Sequence, residues 1–150
     1  MIDCPAGWAP FDMTHNEKET GTAYVVDDDV AVRRSLETLM RAVGLKVRTF
    51  PSAAEYLAAD VQRPACLVLD IRMPGIDGFE LQKRIAGSER QLPAIVITGE
   101  EDEEVRLRAL EAGAIAFFYK PFDDAALMEA ISEWNRLAAE SSRFDANTLR

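Results

Sequence analysis

The sequence predicts an α/β fold in which a doubly wound, five-stranded parallel sheet is covered by five helices. Three observations carry this expectation. Five short strand-forming runs recur along the chain: Thr22–Val26, Lys46–Phe50, Ala65–Asp70, Ala94–Thr98 and 116–119. Each is followed by a segment whose apolar residues recur at helical spacing. Several of those segments stop at a glycine, at Gly44, Gly87 and Gly113, where a left-handed residue closes a helix. Strict alternation of strand and helix implies a parallel sheet with both faces covered. Right-handed crossovers then bring all five strand C-termini to one edge of that sheet.

The elements follow in order. Residues 1–21 mix Pro5, Gly7, Pro10, Thr14, Asn16 and Gly21 with charges and show no period. They read as a loose arm, with Trp8 and Phe11 placed against the body. The first strand runs into Asp27-Asp28-Asp29, and Asp29 is set as N-cap of a helix over 30–43. Val32, Leu36, Leu39, Met40 and Val43 form its apolar stripe. After the second strand, Ser52-Ala53-Ala54-Glu55 is a capping box opening a short helix to about 59. The third strand ends in Asp70, and the turn-rich Arg72-Met73-Pro74-Gly75-Ile76-Asp77-Gly78 leads to a helix over 79–86 with Asp77 as N-cap. The fourth strand ends in Thr98 and gives way to an acidic helix start. The fifth leads through Lys120-Pro121 to a last helix over 123–139, with Leu127, Ile131, Trp134 and Ala138 on one face. The domain reading is an arm over 1–21, a folded body over 22–139 and a tail over 140–150.

With 150 residues, 48% of them hydrophobic and 29% charged, the chain suits one domain with a real core. Net charge is −9, which argues against a domain that itself grips nucleic-acid phosphates and against docking on anionic membranes. Cys4 and Cys66 share no metal-ligand spacing, and Cys66 within an apolar strand reads as a buried thiol. No apolar run approaches the ~18 residues of a membrane span, and the start carries no signal-peptide pattern. The expected location is the cytoplasm.

Ligands of such open sheets sit at the C-terminal edge of the strands. The residues this edge gathers are Asp27, Asp28, Asp70, Thr98 and Lys120. Crowded carboxylates are costly: two unit charges ~5 Å apart repel by about 3 kcal/mol at an effective dielectric of ~20. A hard divalent cation with oxygen ligands, Mg²⁺ before others, offsets that cost at Asp27, Asp28 and Asp70. Lys120 adds a positive charge from another strand. A carboxylate ringed by metal, ammonium and hydroxyl is suited to phosphoryl transfer, with the carboxylate as nucleophile.

Over roughly residues 22–139 the chain resembles the receiver domain of bacterial two-component response regulators. The matching pieces are Val25-Val26-Asp27-Asp28-Asp29, Leu69-Asp70-Ile71-Arg72-Met73-Pro74-Gly75, Ile97-Thr98-Gly99 and Tyr119-Lys120-Pro121-Phe122, with Ala112-Gly113-Ala114 before the last strand. The resemblance implies a flavodoxin-like strand order 2-1-3-4-5. It implies Asp70 as phospho-acceptor and Asp28 as direct Mg²⁺ ligand, with Asp27 acting directly or through water and the Arg72 backbone carbonyl completing the set. Thr98 and Lys120 would hold the phosphoryl oxygens, Thr98 and Phe117 would form the switch, and Lys120-Pro121 would be cis. The implied donor is a histidine kinase or phosphotransfer protein, and a phosphorylation-dependent homodimer through the last two helices is the expected assembly. His15, the sole histidine, lies in the arm, so the chain is not itself the kinase. The only activity expected is promotion of its own phosphorylation and dephosphorylation.

Simpler roles exist for each residue. Asp70 alone is a plausible helix cap, Thr98 a common strand end, Lys120 a solvated one; it is their joint occurrence that favours a site. The run Glu100-Glu101-Asp102-Glu103-Glu104 suits a helix N-terminus electrostatically, at roughly 0.3–1 kcal/mol per acid, and its place after Thr98 suggests an effect on phosphate lifetime. Among competing functions, an aspartyl phosphatase wants an acid two positions after the nucleophile, where Arg72 stands. A flavin or nucleotide carrier wants a glycine-rich phosphate loop, which is missing. Phrases such as Val-Arg-Arg-Ser-Leu-Glu are similar to receivers of LuxR-type transcription regulators. The chain ends at Arg150, leaving no room for a helix-turn-helix after the predicted last helix. A stand-alone receiver is therefore the expectation, and an excised receiver of a DNA-binding regulator the alternative.

Overall fold

The structure, a computed structural model, describes residues 21–62, 65–88, 92–99 and 101–148, with side chains described as far as Arg136. The arm over 1–20, with Trp8, Phe11 and His15, lies outside the described residues, as does Glu100 of the acidic run.

Strands β1 (Thr22–Val26), β2 (Lys46–Phe50), β3 (Ala65–Asp70), β4 (Ala94–Thr98) and β5 (Ala114–Tyr119) alternate with helices α1 (Val30–Ala42), α2 (Ala53–Leu57), α3 (Gly78–Ile85), α4 (Glu103–Glu111) and α5 (Asp124–Thr148). All pairings are parallel, and the order is β2-β1-β3-β4-β5. The expected fold class and strand order are both present.

The side-chain alternation of a strand distributes the core onto two faces. Ala23, Val25, Cys66, Val68, Ile95 and Ile97 face α1 and α5, where Leu36, Met40, Leu127, Ile131 and Trp134 cover them. Tyr24, Val26, Leu67 and Leu69 face the other way, toward Tyr56 of α2 and Leu81 and Ile85 of α3. Val96 lies on that second face too, under Val105 and Ala109 of α4. Because both faces are covered, the central strands are mostly apolar, Thr22 and the C-terminal Asp70 and Thr98 apart. Cys66 is fully buried there, and burial pushes its thiol up to about 12.

Local signals explain the boundaries. The Asp29, Ser52 and Asp77 side chains each cap a helix by accepting a backbone N–H, from Ala31, Glu55 and Glu80 respectively. Gly44 and Gly113, which end α1 and α4, have φ of 88° and 107°, a region that strains L side chains. Most boundaries fall within a residue or two of expectation, and two of the differences have a structural reason. β5 begins two residues earlier, at Ala114, because its ladder with β4 passes through an irregularity between Ala94 and Ile95. The last helix does not end at 139 but continues to Thr148, so the expected tail over 140–150 is helical over most of its length. Nothing in 140–148 breaks a helix: the stretch holds no Gly or Pro.

Candidate functional site

Asp27 is one residue past β1, yet it is fully buried because the ladder runs on through it: its N–H donates to the Phe50 carbonyl at 3.1 Å. Its Oδ1 accepts the Asp29 N–H at 2.9 Å, which orients the carboxylate. Asp28 beside it is exposed. Asp70 ends β3, nearly buried at 4% exposure. Its Oδ1 accepts the Arg72 N–H at 3.4 Å. Gly78, the first residue of α3, presses against this strand end. A Cβ there would stand 2.6 Å from the Asp70 carbonyl oxygen and 2.8 Å from Ile71 Cα, while its N–H donates to Ile71 at 2.9 Å. The loop 71–77 is thereby folded tightly back over the strand.

Lys120 crosses from β5 to both acids. Its ammonium donates to Asp27 Oδ2 at 2.9 Å and to Asp70 Oδ2 at 3.3 Å. Its backbone N–H donates to the Thr98 carbonyl at 2.7 Å, so the end of β4 and the end of β5 are laced together beside the acids. Thr98 is fully buried. The Lys120-Pro121 bond is cis, as expected. One carboxylate oxygen from each of Asp27, Asp28 and Asp70 lies within 4.8 Å of the others. That all-oxygen, acid-rich donor set suits a hard divalent cation such as Mg²⁺ or Ca²⁺.

The electrostatics are strained in the way crowded acids must be. Burial, and next the Asp27 carboxylate, push the Asp70 carboxyl up to about 6, against the pull of Lys120 and the Arg72 N–H. Burial works against the Lys120 charge, but its contacts with Asp27 and Asp70 outweigh it and hold the ammonium above its usual range. The site can therefore stabilise further negative charge at Asp70 only with added cationic help.

The remaining expected residues lie around this cluster. Arg72 is exposed in the loop after β3. Phe117 is partly buried under α4 against Val96, Val105 and Ala109, and meets Tyr119 edge-on at 5.2 Å between ring centroids. Phe118 faces α5 instead. In the acidic run, Asp102 caps α4 by accepting the Glu104 N–H, and Glu103 pairs with Arg106.

Sequence reasoning missed two contributors. Arg33 Nη1 donates to the Asp27 carbonyl at 2.8 Å, tying α1 to the site; a cation in the first turns after an acidic strand end was the available signal. Gly78 was read only as part of a turn, and the Asp-Gly pair before a helix does not by itself announce a steric contact with the strand.

Fold and site together define an open α/β protein with a cation-compensated acid cluster at the C-terminal edge of its sheet. Residues 23–132 match the response regulator receiver domain, and the chain belongs to that family. Nodulation protein W of Bradyrhizobium diazoefficiens is 41% identical over 138 residues, covering 89% of this chain and 61% of that protein. Transcriptional regulatory protein FixJ of Azorhizobium caulinodans is 41% identical over 126 residues, covering 83% of this chain and 60% of that protein. The solved structure of response regulator StyR superposes with a TM-score of 0.76 at 39% identity, covering 86% of this chain and 66% of that one. The chain thus spans about three-fifths of the length of the curated relatives it matches. Receivers are phospho-accepting switches of two-component signalling that take phosphoryl groups from histidine kinases. None of the described helices is long and apolar enough to cross a membrane.

Proposed function

We propose that Asp70 is the phospho-acceptor of this receiver. The observation that carries this reading is the Lys120 ammonium, which contacts both Asp27 and Asp70 and leaves those two acids held beside each other at the rim of the sheet. Asp28 and Asp70, with Asp27 directly or through water and the Arg72 carbonyl, are the candidate ligands of Mg²⁺, which when bound supplies charge neutralisation for the incoming phosphoryl group. An Asp70 carboxylate oxygen attacks phosphorus. The bond from phosphorus to the donor imidazole nitrogen breaks, its electron pair stays on that nitrogen, and the imidazole, already protonated at its other ring nitrogen, leaves neutral. Lys120 and the Thr98 hydroxyl hold the phosphoryl oxygens on Asp70. Hydrolysis of the same acyl phosphate is the only other chemistry assigned.

The switch follows from charge. A phosphoryl group adds about −1.5 to −2 beside Thr98, and movement of Thr98 toward it opens space for Phe117 to turn. That alters the surface of α4, β5 and α5, biasing a bistable element. A homodimer through α4 and α5, the receiver body over 22–139 and a cytoplasmic setting complete the reading. The acidic run beside Thr98 shortens the life of the phosphate by repulsion. The direct test is phosphoryl uptake from acetyl phosphate with Mg²⁺, followed by mass: one phosphate on the native chain and none on Asp70→Asn supports the assignment, and equal uptake refutes it.

A second reading, the receiver part of a longer transcription regulator, is favoured by the partial coverage of relatives such as FixJ, whose name is that of a transcriptional regulator. The full reading frame at this locus decides between them.

A further inference from the structure

An apolar groove of about 420 Å³ opens at the end of the sheet away from the acid cluster, lined by Pro93, Ile115, Ala116, Ala130, Glu133 and Trp134. Ile115, the second residue of the edge strand β5, is 52% exposed. An apolar side chain on an edge strand invites association with other chains, and folded proteins usually cover or charge such an edge. The groove is volumetrically a small-ligand pocket, but it offers only one carboxylate, Glu133, to orient a ligand. Six lining residues are also far short of the roughly 20–30 per side that a stable interface between folded proteins uses. The occupant it fits is a short apolar segment.

The path of the chain points to one. Gly21 enters β1 directly against the groove wall: its N–H donates to Asn135 Oδ1 at 2.9 Å. A Cβ on Gly21 would stand 2.6 Å from Trp134 Cη2. The Trp134 ring therefore touches the point where residues 1–20 join the body on one side and lines the groove on the other. Those twenty residues carry Met1, Ile2, Trp8, Phe11 and Met13. Phe11 lies ten residues from Gly21 and Trp8 thirteen, an extended reach of roughly 33–43 Å at ~3.3 Å per residue, ample to return to the adjoining groove. Tethering also gives the segment an effective concentration of order millimolar for this site, which no separate partner shares.

We propose that the chain's own segment 1–20 covers this groove in cis, with Trp8 and Phe11 seated between Ile115 and Trp134. The arm is then a built-in cover for the exposed start of β5, independent of the phospho-acceptor assignment.

The test uses the full chain with Ile and Ala methyl groups labelled for NMR. Expected are NOEs from the Trp8 and Phe11 ring protons to the Ile115 and Ala130 methyls. In full-length Trp8→Ala/Phe11→Ala these are lost and both methyls shift, while the Ile71 and Ile85 methyls, buried on the other face of the sheet, stay in place. Absence of those NOEs in the native chain, or unmoved Ile115 and Ala130 methyls in the variant, overturns the proposal. NOEs that appear only between differently labelled copies in a mixed sample overturn it in favour of a second chain. As an independent arm, Ile115→Glu in the full chain should raise the rate of tryptic cleavage after Lys18 several-fold; an unchanged rate counts against a seated arm.

Discussion

Lys120 and Asp70 lie fifty positions apart in sequence and on strands separated by β4, yet the ammonium stands 3.3 Å from the carboxylate. The same ammonium is 2.9 Å from Asp27, so one cation holds two acids that would otherwise repel.

Lys120→Met leaves those two buried acids facing each other without their partner. Stability at pH 7.5 without divalent ions should fall by about 1–3 kcal/mol, less than the 3–5 kcal/mol of a fully buried broken pair because the site opens to water. The deficit should shrink at pH 5, where one acid takes up a proton. Denaturant unfolding at the two pH values measures this; a loss that grows on acidification would contradict the electrostatic account.

Asp70 itself should be a liability in the metal-free protein. Its folded-state value of about 6 lies above the ordinary 3.8, so the folded chain holds this proton more tightly than the unfolded chain. Its ionisation therefore costs stability fully above pH 6 and not at all below about 4. The shift corresponds to about 3 kcal/mol, which screening at the open rim reduces to about 1–2 kcal/mol. Asp70→Asn should be more stable than the native chain by that amount at pH 7.5 in EDTA, with the advantage vanishing toward pH 4. A constant difference across this range would reject the assignment.

Asp28 is exposed and donates nothing to the core, so Asp28→Ala should leave the metal-free melting temperature nearly unchanged. Its loss removes one of the three clustered carboxylates and should weaken Mg²⁺ binding by at least roughly tenfold, read by titration calorimetry. Unaltered affinity would place the ion elsewhere.

Gly78→Ala puts a methyl 2.6 Å from the Asp70 carbonyl oxygen, a backbone atom that cannot turn aside. Overpacking of this kind costs about 1–3 kcal/mol. Because the strained backbone is that of the proposed acceptor, the variant should also take up phosphate from acetyl phosphate more slowly than Gly87→Ala, whose Cβ meets nothing within 4 Å and whose strain, from a φ of 74°, lies away from the acids. Equal rates in the two variants would separate the turn from the site.

The alternation of strands and helices, their caps and the edge on which the polar strand ends meet are legible in the amino-acid sequence. Those are local or periodic properties: Asp29, Ser52 and Asp77 cap helices through bonds to residues two or three positions away, and the alternation of side chains between the two faces follows from the strand itself. The sequence also supplied the four short motifs, whose order and spacing marked the family. Long-range packing is what carries Arg33 to the Asp27 carbonyl, rests Gly78 on Asp70, and divides Phe117 and Phe118 between α4 and α5. It likewise brings Gly21 to Trp134 across the body of the protein. Such contacts join residues far apart in the chain and depend on how helices settle against a twisted sheet, which no single segment encodes. The end of the last helix escaped for a different reason: residues 140–148 contain neither a stop nor a strong apolar stripe, so local pattern set no boundary there.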